Sequence, residues 1–543
     1  MVLKVNFKDI FLVIIIFFII LFLILIDNKI KPKTNQQKIV NDYLELEKTM
    51  KKNFYNDDLQ KQYFKNKKVK IVFWHNLYPQ EQILMDKIIK KFKEKFHIEI
   101  LHFSKGNWGQ IYKSISNSLP VNQQPHLSLS YPDHVQSYAK SRKIVPLSLF
   151  MANDEDFKNN SQDKFFPSFL SSVSLDENTN HKDFFFFPFL KTTEVMFYNS
   201  NILKEIQEKE IKDIELKKII DDKINKEGII QKPLFWEELQ KIALAIKQKK
   251  TQDQSFIPII IESESNFFII DSEQNKNSLP SNKKEAEDFL RQNIIKERMM
   301  YFKEEFIDKN LLTTTKLSGE GNLQDFFKEQ KSCFFISSTR RSSSLINNNF
   351  YPEITSFPTS CISDNNKNVF CERNYLLQGS NINLFYSSDQ DEMLASWLFL
   401  KHLTSKETYT KIIQEGTGVI FSRKDVKEDF EKIKLQNQQH EKQIKQELEK
   451  FNNNLSDEEK LNKKKKIFYY KFINFILEFK DDIQNKDQTF FAPSFYEGSA
   501  FFRNILTELF INILALENNT KQYNLKKEVD LLFQEAIQRI TIY

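Results

Sequence analysis

From Val69 onward, segments typical of strands alternate with segments typical of amphipathic helices, and this alternation limits the possible folds more than any other feature. VKIVFW is followed by EQILMDKIIKKFKEKF, whose apolar residues recur four apart at Leu84, Ile88, Phe92 and Phe96. IEILHF and HLSLSY follow as further strands, with the helical segment IYKSISNSL between them. The series predicts an α/β fold with a largely parallel sheet, and such sheets bind ligands just beyond the carboxyl ends of their strands.

The length and composition indicate a large globular protein. A chain of 543 residues exceeds what one hydrophobic core usually holds, so two or more domains are expected. The 79 Lys and Arg residues are balanced by 73 Asp and Glu residues spread along the chain, so the net charge of +6 does not indicate a nucleic-acid partner. The three cysteines show no metal-ligand spacing. We expect no metal and no cofactor, and one disulfide is possible.

The N-terminal segment predicts the location of the protein. Residues 10–26 form an unbroken apolar run, IFLVIIIFFIILFLILI, near the lower length limit for crossing a bilayer. No small-residue cleavage site follows it, and no cysteine nearby could accept a lipid. We predict a signal-anchor transmembrane helix over residues 1–27, a polar stalk over 28–68, and a main domain over 69–543. The protein is then a single-pass protein of the cell membrane, with its main domain on the extracellular face.

Six short motifs of the main domain occur in an order seen in one known family. They are VKIVFWHNL, FSKGNWGQI, FPFLKTTEVMFYNSNIL, PLFWEELQKIA, LLQGSNINLF and SWLFLKHLTSKETYTKIIQEGTGVIF. In this order and spacing the chain resembles the family 1 extracellular solute-binding proteins of ABC importers, nearest to the binders of oligosaccharides and glycerol 3-phosphate. Two features depart from the family pattern. SFYEGS stands where phosphate-binding members are expected to carry an arginine, and Val419 replaces a usual tyrosine, so a sugar or related polyol is favoured over glycerol 3-phosphate.

The resemblance implies a two-lobe periplasmic-binding-protein-like fold of type II that closes around a solute. Lobe 1 would comprise about 69–187 and 376–417, and lobe 2 about 195–375 and 420–543, with 429–466 as a charged, solvated helical excursion. The chain would cross between the lobes near 187–195 and 416–420, with Gly416 and Gly418 as hinge residues. The implied partners are a small-molecule solute and the ABC permease subunits with their ATPase.

The strand ends and the matched motifs supply candidate ligand-binding residues. Aromatic faces and hydroxyl-bonding groups hold neutral polyols. The candidates are Trp74, Trp108, Tyr131 and Tyr496 for stacking, Asp133, Thr192, Thr193, Ser337 and Ser338 for hydrogen bonds, His75 for orienting one end, and Gly379 in the matched glycine motif. Each also has a structural interpretation: tryptophans pack, a buried histidine is often structural, and serines form turns. Arg340 and Arg341 are expected to be a solvated loop pair.

Two other function classes stay open at this stage. We expect no enzyme activity, because no H-E-x-x-H, Walker A or G-x-S-x-G motif occurs. A membrane-bound glycosidase would need two carboxyl groups about 5–9 Å apart across a cleft. A surface adhesin or interaction protein would keep the fold, have its pocket filled by side chains, and use the 429–466 segment to bind a partner.

Overall fold

The structure, a computed structural model, describes residues 35–542 apart from short internal gaps. The gaps are 54–55, 140, 159–163, 167–168, 170–182, 209–210, 251–252, 254, 320–322, 348–349, 364–368, 372, 452–453, 480–487, 493–495, 497 and 518–521. The predicted anchor at residues 10–26 lies outside the described residues. Within the described ranges, no helix combines the length and the apolar character needed to cross a bilayer.

Fourteen strands and twenty α-helices are described. The strands are β1 Lys70–His75, β2 Glu99–Ser104, β3 Leu127–Ser130, β4 Phe186–Thr192, β5 Glu194–Tyr198, β6 Ile259–Ile261, β7 Leu312–Thr314, β8 Phe334–Ser338, β9 Glu353–Ser356, β10 Cys361–Ser363, β11 Val369–Cys371, β12 Arg373–Leu376, β13 Gln378–Leu384 and β14 Gln488–Phe491. The helices are α1 Asn35–Asn53, α2 Asp57–Phe64, α3 Pro79–Phe96, α4 Trp108–Ser118, α5 Pro132–Ala139, α6 Ser148–Met151, α7 Glu155–Lys158, α8 Ser200–Gln207, α9 Ile214–Lys223, α10 Trp236–Lys249, α11 Glu264–Gln274, α12 Lys283–Arg291, α13 Asn293–Phe302, α14 Leu323–Lys328, α15 Gln390–Leu403, α16 Lys406–Gln414, α17 Lys424–Phe451, α18 Asp457–Leu477, α19 Ser499–Leu514 and α20 Gln522–Ile542.

The first sheet has the strand order β2-β1-β3-β13-β4 and forms the centre of lobe 1. Strand β1 runs parallel to β2 and β3, whereas β13 runs antiparallel to β3 and β4. The four apolar residues that predicted helix α3 are all buried, so the periodicity argument is confirmed for this helix. Pro79 at its first turn and the Glu81 carboxylate, which accepts a hydrogen bond from the Tyr78 N–H at 2.7 Å, define where α3 begins.

The second sheet has the order β7-β6-β8-β5-β9 and forms the centre of lobe 2. Strand β6 runs parallel to β7 and β8, and β5 runs antiparallel to β8 and β9. One face of this sheet carries an aromatic core in which the fully buried Trp236 contacts Phe267 and Phe302 edge to face. Two mixed sheets covered by helices therefore make up the main domain.

The chain passes between the two lobes at three points. Strand β4 of the first sheet continues into β5 of the second through Thr193. Strand β12, which pairs with β14 in a separate two-stranded sheet, continues into β13 of the first sheet through Leu377. The third passage follows α16, where the Ile420 N–H donates to the Lys191 carbonyl at 2.8 Å. Gly418 has φ +74°, and a Cβ there would overlap the Thr339 carbonyl oxygen, so this passage requires glycine.

The predicted free stalk is wrong for the part of it that the structure describes. Helices α1 and α2 pack on lobe 1, where Leu46, Met50 and Phe64 are buried in the lobe 1 core. The Tyr386 hydroxyl hydrogen-bonds the Asp42 carboxylate, and the Tyr63 hydroxyl lies 2.7 Å from the Asp391 carboxylate. The stalk prediction failed because its apolar positions are few and some of its partners, such as Tyr386 and Asp391, lie more than 300 residues away in the sequence.

The described part of the 429–466 segment is helical and belongs to α17 and α18, which pack on each other. Phe430 within the segment, and Ile467 and Phe468 directly after it, are buried, and the two phenylalanines pack against lobe 2. The β10–β11 hairpin elsewhere in lobe 2 carries a disulfide between Cys361 and Cys371, while Cys333 is a buried free thiol.

Candidate functional site

Three of the predicted aromatic residues meet at the carboxyl end of the first sheet. Trp108 and Tyr131 stack with ring centroids 4.0 Å apart and an interplanar angle of 30°. Trp74 and Trp108 pack against the same small apolar cluster of lobe 1. The Lys105 ammonium lies 3.9 Å from the centre of the Trp74 ring. All three residues are half-buried.

Local sequence explains why these rings come together. Tyr131 directly follows β3, and Trp108 is the first residue of α4, after the loop that leaves β2. The Asn107 side chain accepts a hydrogen bond from the Gln110 N–H at 3.0 Å, which caps α4 and sets where Trp108 emerges. Because β1, β2 and β3 are parallel neighbours, their ends converge at one edge of the sheet.

Tyr131 lies close to charged groups of both lobes. Burial is the main cause of its raised pKa. The positive charges of Arg503 and Arg340, both from lobe 2, act against this rise. The negative charges of Asp133 in lobe 1 and Glu194 in lobe 2 add to it. Helix α5, which begins beside Tyr131, also contacts α19 of lobe 2. The aromatic stack is therefore at the junction between the lobes.

An arginine from lobe 2 closes one side of this junction. Arg340 follows β8, and its Nε donates to Glu81 Oε1 at 2.7 Å while its Nη2 pairs with Glu81 Oε2. The same Nη2 lies 3.4 Å from the Asn76 carbonyl, and the Tyr78 ring is 4.2 Å from the guanidinium carbon. The prediction of a solvated arginine pair is wrong, because Arg340 is buried in a pair that joins the lobes. Arg341 pairs with Glu262 within lobe 2.

Two ionisable side chains on the first crossing were not singled out from the sequence. Glu194 is 2% exposed and accepts hydrogen bonds from Gln378 Nε2 at 2.6 Å and Asn266 Nδ2 at 3.0 Å. Burial raises its pKa to about 7, although these hydrogen bonds oppose the rise. Burial also lowers the pKa of Lys191 to about 7. The sequence feature that could have identified them is the presence of a lysine and a glutamate within the otherwise largely apolar stretch FFPFLKTTEVMFY.

Several buried polar atoms near the junction have no hydrogen-bond partner among the described residues. They are Asn76 Oδ1, His134 Nδ1, Thr193 Oγ1, Tyr496 OH and Ser499 Oγ. Burying a polar atom without a partner costs free energy, so such atoms are candidates for bonding a polar ligand. His134 belongs to the aromatic group, with its ring centroid 5.5 Å from that of Tyr131.

Other predicted site residues have structural roles. His75 is fully buried: its Nδ1 accepts from the Leu77 N–H at 3.2 Å, and its Nε2 lies 2.9 Å from His102 Nδ1. Both ring nitrogens of His75 are thus occupied by protein groups, and its contact with a ligand stays a prediction. The buried Ser337 hydroxyl bonds the Glu262 carboxylate, and Ser338 Oγ accepts from the Arg340 N–H at 3.4 Å.

Glycine and helix-start positions account for most of the remaining predicted residues. Gly379 has φ +87°, and a Cβ there would overlap the Leu190 carbonyl, so this glycine lets β13 pack against β4. Asp133 accepts from the His134 N–H at 3.0 Å at the start of α5. Thr192 ends β4 and is 3% exposed. Gly416 has φ +69°. Tyr496 packs in the lobe 2 core, with only its hydroxyl unpartnered.

A metal centre is not formed by the described part of the chain. No group of three or more His, Cys, Asp or Glu side chains there could hold a metal ion. The junction instead offers aromatic faces, a buried carboxyl group that titrates near neutral pH, and several unpartnered polar atoms. This combination suits a neutral polar ligand that hydrogen-bonds and stacks.

Comparison with known proteins identifies the family and the fold of the chain. The sequence profile of the bacterial extracellular solute-binding proteins matches residues 87–440. No curated protein sequence matches the chain. Similar solved structures include the maltose/maltodextrin-binding domain MalE from Bdellovibrio bacteriovorus bound to maltotriose, with 13% identity, TM-score 0.54, and coverage of 87% of this chain and 100% of that one.

Two further solved structures resemble the chain to the same degree. UgpB from Mycobacterium tuberculosis, in complex with glycerophosphocholine, has 11% identity, TM-score 0.58, and coverage of 88% of this chain and 98% of that one. An ABC transporter solute-binding protein from Agrobacterium radiobacter K84, in complex with ribitol, has 13% identity, TM-score 0.55, and coverage of 87% and 98%. At these identities the similarity concerns the fold, which is the two-lobe α/β fold of solute-binding proteins.

Proposed function

Because the chain belongs to the family of bacterial extracellular solute-binding proteins, we propose that it is the solute-binding component of an ABC importer that captures a sugar or related polyol between its lobes and delivers it to the permease. The observation that carries this proposal is the Trp108–Tyr131 stack at the lobe junction, facing Glu194 and Arg340 of lobe 2. Aromatic faces with nearby hydrogen-bonding groups favour polyhydroxylated solutes. Related structures bound to maltotriose and to ribitol support the same solute class.

The proposal includes attachment to the membrane through residues 10–26, with the lobes on the extracellular face. The Cys361–Cys371 disulfide supports this side of the membrane, because disulfides persist in oxidising extracytoplasmic compartments. The apolar run of residues 10–26 is the segment that would insert. Removing residues 1–27 should shift the protein from the membrane fraction to the soluble fraction of its own host cells.

We favour this function over those of an interaction protein or a glycosidase. The matched family and the related structures are of binding proteins, and the helices of the 429–466 segment pack against lobe 2 instead of standing free. Among the described carboxyl groups at the junction, Glu81 is paired with Arg340 and Asp133 accepts the His134 N–H, while burial raises the pKa of Glu194 to about 7.

Calorimetric titration of the full-length protein tests the proposed function. Solutes to be tried are maltose, maltotriose, ribitol, glycerol 3-phosphate and glycerophosphocholine, with the protein in detergent. We expect saturable binding of at least one neutral saccharide or polyol. Trp108→Ala should weaken this binding by roughly 10–100-fold, because stacking area and about 1–3 kcal/mol of contact are lost.

A matched aromatic variant separates loss of the site from general damage. Tyr470 is a half-buried tyrosine on α18, far from the junction in sequence and packed near His440. Tyr470→Ala should bind the solute as the wild type does. No binding of any of the five solutes by the wild type, or equal effects of the two variants, would contradict the proposal.

A further inference from the structure

Lobe 2 contains a large polar cavity that is separate from the lobe junction. Its volume is about 720 Å³, a size typical of small-molecule sites. Its walls are the edge strand β9, strand β12, helix α18 and the loop 227–233. None of the junction residues described above lines it. The loop side carries the exposed Glu227, Gln231 and Lys232, so solvent and small molecules can enter there.

Two polar groups in the cavity wall lack hydrogen-bond partners. Ser356 on β9 is 6% exposed, and its Oγ is buried without a partner among the described residues. Asn474 on α18 also lines the cavity, and its Oδ1 is buried without a partner. An unpartnered hydroxyl and an unpartnered amide oxygen in one cavity supply a donor and an acceptor for a ligand.

The charges of the cavity wall favour a neutral ligand. The wall carries four cationic side chains and three carboxylates, which leaves one net positive charge. Its lysines are already paired: Lys471 with Glu353, Lys445 with Glu441, and Lys232 with Asp222. An anionic ligand would have to compete with these carboxylates. A neutral ligand avoids this competition. The paired ammonium groups can donate hydrogen bonds to its hydroxyl groups, and the carboxylates can accept hydrogen bonds from them, while each ion pair stays intact.

Aromatic rings complete the wall. Tyr351 and Phe475 are half-buried at the cavity, and Tyr375 lies deeper, at 3% exposure. The Lys471 ammonium lies 5.3 Å from the centre of the Tyr351 ring, which places the aromatic face beside the Lys471–Glu353 pair. Apolar ring faces next to paired charges and free hydrogen-bonding atoms match the alternating apolar and hydroxyl surfaces of a sugar ring.

We propose that this cavity is a second carbohydrate-binding site, located within lobe 2 and independent of the lobe junction. It takes a neutral saccharide of two or three rings, which contacts Ser356 and Asn474 by hydrogen bonds and Tyr351 by stacking. The site does not require closure of the lobes, because all of its wall residues belong to lobe 2. Helices α17 and α18 are part of the site through Lys445 and Asn474.

Fluorine NMR on the full-length protein tests this site directly. The protein is labelled with 3-fluorotyrosine, and the Tyr351 and Tyr375 signals are assigned with the variants Tyr351→Phe and Tyr375→Phe. Titration with maltotriose, cellobiose and trehalose should move these two signals in a saturable way for at least one saccharide. Trp108→Ala, which damages the junction, should leave the shifts and the dissociation constant unchanged.

Variants without the unpartnered polar atoms test the proposed contacts. Ser356→Ala combined with Asn474→Leu removes both groups and should weaken binding at this site roughly tenfold or more. Asn437→Leu is the matched control, because Asn437 is a buried amide on α17 that also has an unpartnered atom but does not line the cavity. It should bind as the wild type does. If the double variant fails to fold, Ser356→Ala alone should still weaken binding.

Three results would overturn the proposal. The first is the absence of saturable shifts at Tyr351 and Tyr375 with every saccharide. The second is unchanged binding in the Ser356 and Asn474 variants. The third is a response of the two signals to inorganic phosphate or to a short peptide but to no saccharide, which would assign the cavity to another ligand class. None of these results bears on binding at the lobe junction, which calorimetry of the Trp108→Ala variant reports separately.

Discussion

At the scale of single residues, His75 shows how a strand end beside the lobe junction is held by its own neighbours. Its ring bonds the Leu77 N–H and His102, and His102 Nε2 lies 2.8 Å from Asp86 Oδ1. Because the His75 Nδ1 accepts a hydrogen bond, the ring is neutral and donates through Nε2. Burial, together with the nearby His102 and Arg340, lowers the pKa of His75 to about 4, although the negative charge of Asp86 opposes this shift.

This histidine predicts a defined pH dependence of stability. In the unfolded chain a histidine titrates near pH 6.5, so between about pH 6.5 and pH 4 the unfolded chain binds a proton that folded His75 does not. The free energy of unfolding should therefore fall as the pH falls through this range, by up to about 3 kcal/mol from His75 alone. The contribution is complete above pH 6.5 and levels off below pH 4.

Urea unfolding of the wild type and His75→Gln at a series of pH values measures this contribution. The variant should lose the share of the pH dependence that belongs to His75. His97→Asn is the control, because His97 is exposed at the end of α3 with a left-handed backbone that asparagine tolerates. Equal pH dependence in the wild type and His75→Gln would contradict the assignment of a neutral, buried His75.

Residue roles were only partly predictable from the sequence. Trp74 lies near the end of β1, and Trp108 and Tyr131 follow β2 and β3, so the geometry of a parallel sheet brings the three together. Glu194 was missed because its environment depends on Asn266 and Gln378, which come from other elements 72 and 184 residues away. A local sequence pattern does not show whether a side chain is buried by, or hydrogen-bonded to, residues so far away in the sequence.

At the scale of elements, helix α1 is the clearest difference between prediction and structure. The helix itself follows from its sequence, but its docking on lobe 1 depends on contacts with α6 and α15. Strands and helices with strong periodicity, such as β1 and α3, were predicted within a few residues. The docking of α1 on lobe 1 was not predicted, because Leu46 and Met50 form a narrow apolar stripe on a mostly polar helix.

The docked helix predicts different effects for substitutions on its two faces. Leu46 and Met50 are 1% and 0% exposed, whereas Leu44 on the same helix is 52% exposed. Leu46→Ala and Met50→Ala should each lower the free energy of unfolding by about 2–4 kcal/mol, because each leaves a cavity in the lobe 1 core. Leu44→Ala should change it by less than about 0.5 kcal/mol. Thermal and urea unfolding measure all three.

A free stalk would give a different pattern in that experiment. All three substitutions would then have equally small effects, and the folded unit could begin at residue 69. If the docked arrangement holds, a fragment starting at residue 69 should be less stable than one starting at residue 35. The lobe 1 core would lose three buried side chains, including Phe64. Fragments for binding studies should therefore retain α1 and α2.

At the scale of the whole molecule, the Arg340–Glu81 pair links the two lobes in the arrangement described here. Both side chains are largely buried, at 10% and 8% exposure, and the pair is bidentate. Helix α3 of lobe 1 and the segment after β8 of lobe 2 are thereby fixed to each other. A pair of this kind favours the lobe arrangement that contains it, and under the proposed function it would favour lobe closure before any solute is present.

Breaking the link should therefore open the molecule. Arg340→Gln should increase the radius of gyration measured by small-angle X-ray scattering without solute, and saturating solute should restore the compact value. The apparent affinity for the solute should fall roughly tenfold, because binding must then supply the free energy of closure. Arg341→Gln is the control, since Arg341 pairs with Glu262 inside lobe 2 and its loss does not unlink the lobes. An unchanged radius of gyration in Arg340→Gln, or an equal increase in both variants, would show that this ion pair does not hold the lobes together, and closure would then depend on the direct α5–α19 contact.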